Sequence, residues 1–216
     1  MNVATLSEGT GVRVLVSGAS GFTGRYVVPA LEELGQHVVL LEGADGVGVD
    51  LLDRAAVETA VRAALPDVVI HLAAIAFVAH GNVDEMYRVN IVGTRNLLAA
   101  LAALDSRPRQ VVLASSANVY GNAGGRLDES TPPQPVNDYA VSKLAMELMA
   151  HQFLDQLPLT IVRPFNYTGV GQSIKFLIPK IVDHFRRGAS QLELGNLQVS
   201  RDFNDVRNVA RTYARL

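Results

Sequence analysis

Cysteine and tryptophan are absent from the 216 residues, and aromatics together make up 6%. Without a thiol there is no disulfide framework, no thiolate metal site and no cysteine nucleophile; the absence fits a reducing compartment. Neither sign of charge dominates: 19 lysines and arginines stand against 21 aspartates and glutamates, for a net charge of −2. That balance leaves no basic footprint for nucleic acid. Long apolar runs are also missing. Uninterrupted stretches such as residues 97–104 fall far short of the roughly 20 residues that a membrane-spanning helix needs. Residues 1–11 lack a basic start followed by an apolar core, so they do not read as a signal peptide, and a cytoplasmic location is expected. The five histidines (His37, His71, His80, His151, His184) share no metal-ligand spacing, and no metal is expected.

What is present is enough apolar material for a full core, 49% hydrophobic against 19% charged, which excludes a disordered chain. Compact apolar runs at 12–16, 37–41, 49–51, 67–72, 110–115 and 160–163 predict strands. Helical spacing between them predicts helices through 26–34, 53–64 (with Asp53 as N-cap), 84–104 and 138–154. Continuous apolar strands alternating with helices mark a parallel sheet covered on both faces. The fold expected is therefore α/β, a doubly wound parallel sheet of Rossmann-like type. We divide the chain into a lead (residues 1–11), a dinucleotide-binding domain (12–165) and a partial substrate-binding region (166–216). The last pattern, Val206, Val209, Ala210, Tyr213 and Leu216, carries no C-cap signal, so the chain reads as truncated there.

Gly18-Ala19-Ser20-Gly21-Phe22-Thr23-Gly24 lies between the first strand and the first helix. Glycines three apart permit a tight turn and close approach of a pyrophosphate, to which the helix N-terminus offers free N–H groups. Glycine required for packing alone is the competing explanation. Glu42 follows the second strand where an acid bonds the adenosine ribose hydroxyls, which favours NAD(H) over NADP(H). Arg25 is the alternative, as a reader of a 2′-phosphate.

Tyr139 and Lys143 are four apart on one predicted helix face. A neighbouring ammonium stabilises a phenolate, making tyrosine a proton donor or acceptor near neutral pH. Ser115 and Ser116, at the carboxyl end of the fifth strand, stand at the sheet edge where ligands of open α/β sheets bind. Two serines capping a turn would be the structural alternative. Tyr120 has no lysine four residues on.

With these pieces in order, the chain resembles the extended short-chain dehydrogenases/reductases, the NAD-dependent sugar-nucleotide epimerases, dehydratases and reductases. Further matching stretches are Asp50-Leu51, His71-Leu72-Ala73-Ala74, Asn90-x-x-Gly93-Thr94-x-Asn96-Leu97-Leu98 and Arg163-Pro164-Phe165-Asn166. Residues 163–172 and 194–203 look most like the reductases of GDP-6-deoxy-4-keto-mannose, which make GDP-rhamnose. The resemblance implies Ser116, Tyr139 and Lys143 as the catalytic set. It implies cofactor contacts from Gly18, Ser20, Gly21, Phe22, Thr23, Gly24, Glu42, Asp50, Leu51, Leu72, Ala73, Ala74, Ala114, Ser115, Tyr139, Lys143, Pro164 and Phe165. Sugar-nucleotide contacts would come from Ser116, Asn118, Tyr139, Asn166 and Arg201, the last suited to a diphosphate.

Two positions depart from relatives. Asn118 stands where related dehydratases carry an acid, and an amide cannot act as that base, so dehydration is disfavoured. Asn208 replaces a usual aspartate and leaves the local helix start open. The activity implied is reduction of a 4-keto sugar nucleotide, a GDP-sugar favoured, with NAD(H) or NADP(H). A sugar-nucleotide 4-epimerase and a cofactor-binding fragment without turnover are the alternatives. Phe77 and Val78 are candidates for lining the sugar pocket. Apolar stripes on residues 84–104 and 138–154 either cover the sheet or, as the resemblance implies, pair with a second copy in a homodimer.

Overall fold

The structure, a computed structural model, describes residues 11–43, 46–76, 82–195, 198 and 200–216. At its centre are five parallel strands, β1 (Arg13–Ser17), β2 (His37–Leu40), β3 (Val68–His71), β4 (Gln110–Ala114) and β5 (Leu159–Val162), in the spatial order β2-β1-β3-β4-β5. Side chains alternate across the sheet, and each set has its own helical layer. Leu15, Val69, Val111 and Leu113 are buried with residues of α2 (Arg54–Ala64), α4 (Thr94–Ala102) and α5 (Asp138–Ala150). Val14, Val16, Ile70 and Val112 are buried with Val27 and Leu31 of α1 (Gly24–Glu32) and Ala210 and Tyr213 of α7 (Val206–Tyr213). The continuous apolar strands are thus explained by a doubly wound sheet.

Helix starts follow local chemistry. The Asp53 side chain accepts from the Ala56 N–H at 3.0 Å and caps α2, while Asn137 caps α5 through the Ala140 N–H at 2.9 Å. Asp205 caps α7 through the Arg207 N–H at 2.8 Å, so the start of that helix does not depend on Asn208. The helix closes at Tyr213 rather than running on to Leu216.

Two expectations need correction. Residues 49–51 form no strand: Asp50 Oδ1 accepts the Leu52 N–H, the Asn96 amide donates to the Leu51 carbonyl at 2.9 Å, and Leu51 is buried in the core. Its backbone groups are committed to a turn and a side chain, leaving β2 at the sheet edge. The helical stretch 84–104 is broken into α3 (Val83–Tyr87), a wide π-type segment Arg88–Gly93, and α4. A Cβ at Gly93 would lie 2.8 Å from that of Leu51, so only glycine lets the segment close on the turn below it. Beyond β5 the chain adds β6 (Asn166–Thr168), α6 (Leu177–Arg186) and β7 (Phe203–Asp205), and β6 pairs with β7 in parallel. Strands of three residues carry too little periodicity to be seen in sequence.

The strand order reverses between β1 and β3. Ligands of open α/β sheets bind at such a switch point, outside the carboxyl ends of the strands.

Candidate active site

The turn after β1 has the geometry of a phosphate cradle. Gly18 has φ +72°, and a Cβ there would stand 2.6 Å from the Ala73 nitrogen; the turn therefore packs directly on the residues that leave β3. A Cβ at Gly24 would overlap the Gly18 carbonyl oxygen, whereas Gly21 and Ser20 are exposed. No side chain caps α1 and no acid lies in its first turn, so its N-terminal N–H groups and positive dipole end suit an anion.

Leu72, Ala73 and Ala74 line the other side of this crevice, half-buried after β3. Beneath them runs a buried chain of hydrogen bonds. The Ala73 N–H donates to Ser17 Oγ (3.4 Å), Ser17 Oγ meets His71 Nδ1 (2.5 Å), His71 Nε2 meets Thr94 Oγ1 (2.9 Å), and Thr94 Oγ1 donates to the Asn90 carbonyl (2.8 Å). Since Thr94 gives its proton to Asn90, His71 must donate from Nε2 and accept at Nδ1, the neutral form. Burial first, and the Lys143 charge second, lower its pKa to about 3. His71 is thus a hydrogen-bonded core residue.

At the next strand, Lys143 Nζ donates to the Ala114 carbonyl at 2.7 Å, and Nζ is 6.0 Å from the centre of the Tyr139 ring. Ser116 Oγ accepts the Asn118 N–H at 3.2 Å and lies close enough to the Tyr139 phenol to favour its ionised form. Ser116 therefore caps the turn at Ala117–Tyr120 and faces Tyr139 as well. Burial, reinforced by the nearby Tyr167 phenol, pushes Tyr139 up to about 12, and the Ser116 hydrogen bond opposes that rise. Burial lowers Lys143 to about 8, with the Glu147 charge pulling the other way. The expected lowering of the tyrosine by the lysine is not seen: desolvation dominates, Ser116 is what opposes it, and the phenol is a protonated donor at neutral pH.

Asn90, inside the π-type segment, holds this arrangement together. Its side chain accepts the Ile75 N–H (2.8 Å) and donates to the Ile75 carbonyl (3.1 Å) and to Ser142 Oγ (3.0 Å); Ser142 Oγ in turn donates to the Tyr139 carbonyl (2.8 Å). The loop leaving β3 is thereby fastened to the turn of α5 that carries the phenol.

Several expected site residues are placed differently. The Ser115 hydroxyl donates to Glu147 in the core. Leu51 packs its side chain in the core, while Asp50 and Glu42 remain exposed, Glu42 in a single bridge to Gly48. Arg25 donates to the Gly171 carbonyl at 3.3 Å, which turns it from the role of 2′-phosphate reader. Asn118 is exposed one turn past Ser116. Asn166 opens β6 opposite Phe203, and Arg201 lies exposed two residues before that partner, donating to the Ser200 carbonyl. Pro164 and Phe165 line a cavity of about 310 Å³ with Arg163, Asp202, Asn204 and Tyr213. Phe77 and Val78 lie outside the described residues.

Tyr167 was not singled out from the sequence, although the quoted stretch contains it. Its hydroxyl lies 2.8 Å from Thr23 Oγ1 and its ring stacks on Phe22 at 6.2 Å, joining the phosphate turn to the surroundings of Tyr139. Nearby, Tyr26 donates to the Val170 carbonyl at 2.7 Å.

A doubly wound sheet, a glycine cradle at its switch point and a Ser-Tyr-Lys set at the adjoining strand end define a short-chain dehydrogenase/reductase-type enzyme of the extended kind. The family model "NAD dependent epimerase/dehydratase family" matches residues 14–216, and the chain belongs to that family. It is 36% identical over 206 residues to a GDP-6-deoxy-D-talose 4-dehydrogenase of Aggregatibacter actinomycetemcomitans, covering 95% of this chain and 70% of that one. It is 35% identical over 225 residues to a GDP-6-deoxy-D-mannose reductase of Pseudomonas aeruginosa, covering 94% of this chain and 70% of the relative. Among solved structures, RMD from Pseudomonas aeruginosa complexed with NADPH is similar at a TM-score of 0.82 and 34% identity, over 95% of this chain and 71% of that one.

Proposed function

We propose that this chain reduces the 4-keto group of a nucleotide-activated 6-deoxy sugar, a GDP-sugar favoured, with NAD(H) or NADP(H). The observation that carries the reading is the meeting of Ser116, Tyr139 and Lys143 at the carboxyl end of β4 and the start of α5, across the switch point from the glycine cradle.

The residues present fit a dinucleotide. A side chain at Gly18 or Gly24 would fill the cradle with atoms that collide with backbone, and the uncapped α1 terminus suits a pyrophosphate. Leu72, Ala73 and Ala74 would line the adenosine side, with Glu42 favouring ribose hydroxyls and so NAD(H), whereas the solved relative carries NADPH. When bound, the nicotinamide supplies the hydride that reaches the sugar carbonyl carbon.

The chain's own groups do the rest. Ser116 holds the carbonyl oxygen in line with Tyr139, and the phenol gives its proton to that oxygen as charge builds there. Lys143 steadies the phenolate that is left and offers donors to ribose hydroxyls. Sugar C4 gains a hydride and its oxygen a proton, leaving a secondary alcohol. The raised tyrosine is protonated at neutral pH, the state that a proton donor in reduction needs. Exposed Asn118 offers no carboxylate for a dehydration. Asn166 and Arg201, at the leading ends of β6 and β7, are proposed to meet the diphosphate.

The test is incubation with GDP-4-keto-6-deoxymannose and NADH or NADPH, following loss of nicotinamide absorbance. Oxidation of the cofactor with formation of the 6-deoxy sugar nucleotide is expected. Interconversion of sugar nucleotides with no net cofactor use would instead establish a 4-epimerase, the second reading that the family includes. We also propose a homodimer built from residues 84–104 and 138–154, on which apolar Val92, Val141 and Leu148 are exposed. A monomer at micromolar concentration in sedimentation would overturn it.

A further inference from the structure

Resting on the reading of Tyr139 and Lys143 just given, we propose that Glu147 is a positioning residue of this site: it fastens the exit of β4 to α5 and is the counter-charge that keeps Lys143 cationic. Glu147 is 3% exposed and has no access to bulk water, yet its carboxylate is fully partnered. It accepts from the Ser115 hydroxyl, and Arg163 Nε reaches its two oxygens at 3.0 and 3.2 Å. Arg163 Nη2 adds an ion pair at 2.5 Å, and Nη1 donates to the Tyr120 hydroxyl at 3.0 Å.

One turn earlier on the same face of α5, Lys143 holds the Ala114 carbonyl. Two successive residues leaving β4 are therefore gripped by two side chains four apart on one helix, and the next residue in the chain is Ser116. Removing the grip at 115 would free the serine that faces Tyr139. The same clamp reaches β5 through Arg163, so three elements converge on one carboxylate.

The charge argument follows from the groups around Lys143. On its own helix lie Tyr139, which is protonated, and Glu147. From the end of β3 comes His71, neutral by its hydrogen bonds; the Ala114 carbonyl comes from β4, and uncharged Asn90 and Thr94 come from the π-type segment and α4. Beyond β5 stands Arg163, paired to Glu147, and beside it Tyr120. Asp138, bonded to Tyr87, sits at the exposed start of α5. Burial works against the ammonium, and Glu147 is the anion that counters it.

The chain has three lysines, Lys143, Lys175 and Lys180, so their ¹³Cε signals can be followed individually by NMR against pH. Glu147→Gln is expected to move the Lys143 titration down by about one pH unit or more, with Glu147→Asp staying near the wild type. The alkaline limb of kcat should move with it, while the affinity for the dinucleotide changes little. A Lys143 titration that stays in place in folded Glu147→Gln overturns the proposal. Should that variant fail to fold because Arg163 is left alone, Glu147→Gln/Arg163→Gln, which strands no charge, is compared with Arg163→Gln alone: the Lys143 titration is expected about one pH unit or more lower in the double variant, and equal titrations overturn the proposal. If Tyr139→Phe and Lys143→Met leave reduction intact, the active-site reading fails, and the NMR titration still decides whether Glu147 governs the lysine.

Discussion

Lys143 Nζ lies 2.7 Å from the Ala114 carbonyl oxygen and 6.0 Å from the centre of the Tyr139 ring. One buried amine thus holds the end of a strand and sits beside the phenol proposed to deliver the proton. The phenol is raised to about 12 and the amine lowered to about 8, so burial drives the two apart in opposite directions, each toward its neutral form. At neutral pH both keep their protons.

Replacing Tyr139 by phenylalanine removes the donor and little else, since the ring still fills its place. Turnover should fall by roughly 10²–10⁴-fold, the range for general acid catalysis. Binding of NADH, measured by fluorescence or calorimetry, should stay within about threefold. Turnover near the wild-type level would refute the role of the phenol.

Lys143→Met should abolish reduction and stabilise the protein. The folded-state pKa of Lys143, about 8, lies below the ordinary 10.5. The unfolded chain therefore holds this proton more tightly, and the lysine costs stability at every pH below about 8. That cost shrinks as pH rises from 8 toward 10.5 and is gone above it. At pH 7 the variant should gain up to about 3 kcal/mol, less whatever the lost bond to Ala114 contributes, and the gain should disappear near pH 10.5. Denaturant unfolding at both pH values checks it.

The glycines should separate folding from binding. Gly18→Ala puts a side chain at φ +72° and against the Ala73 backbone, at a cost of about 1–3 kcal/mol. In exposed Gly21→Ala the new methyl meets the Gly18 carbonyl at 3.1 Å, a small strain. Stability there should change by about 0.5 kcal/mol or less. Its dinucleotide affinity should nonetheless drop about tenfold or more, because the methyl stands where a pyrophosphate must approach. Equal losses of stability in the two variants would contradict this.

His71 should make the fold acid-sensitive. Its pKa falls from 6.5 unfolded to about 3 folded, chiefly by burial. The unfolded chain takes up the proton first, so stability is lost as pH drops from 6.5 through 3, by up to about 1.4 kcal/mol per pH unit. Imidazole ¹⁵N shifts at pH 5 should report a neutral ring protonated at Nε2. A charged ring at that pH would rule the network out.

Much of this was legible in the residues themselves. Apolar runs such as Val14-Leu15-Val16 announced buried parallel strands, the cap Asp53 announced its helix, and Gly18 to Gly24 announced the cradle. What stayed hidden depends on partners distant in sequence. Nothing near Ser115 says that its hydroxyl turns inward, because Glu147 and Arg163 decide it from 32 residues away and beyond. The π-type segment is dictated by Asn90 reaching Ile75 and by Gly93 resting on Leu51, neither of which is a periodic signal. Residues 49–51 had the composition of a strand, but an aspartate that bonds its own turn prevailed.

The hold of Thr23, Arg25 and Tyr26 on residues 167, 170 and 171 has a mechanical consequence. Two of these bonds run to main-chain carbonyls, so changing the side chain at 170 would leave its bond intact. A swing of the polypeptide downstream cannot hinge within this stretch without rupturing them. Any flexing of the segment between β6 and β7 has to begin after Gly171, and the glycine turn then keeps its shape while that segment rearranges.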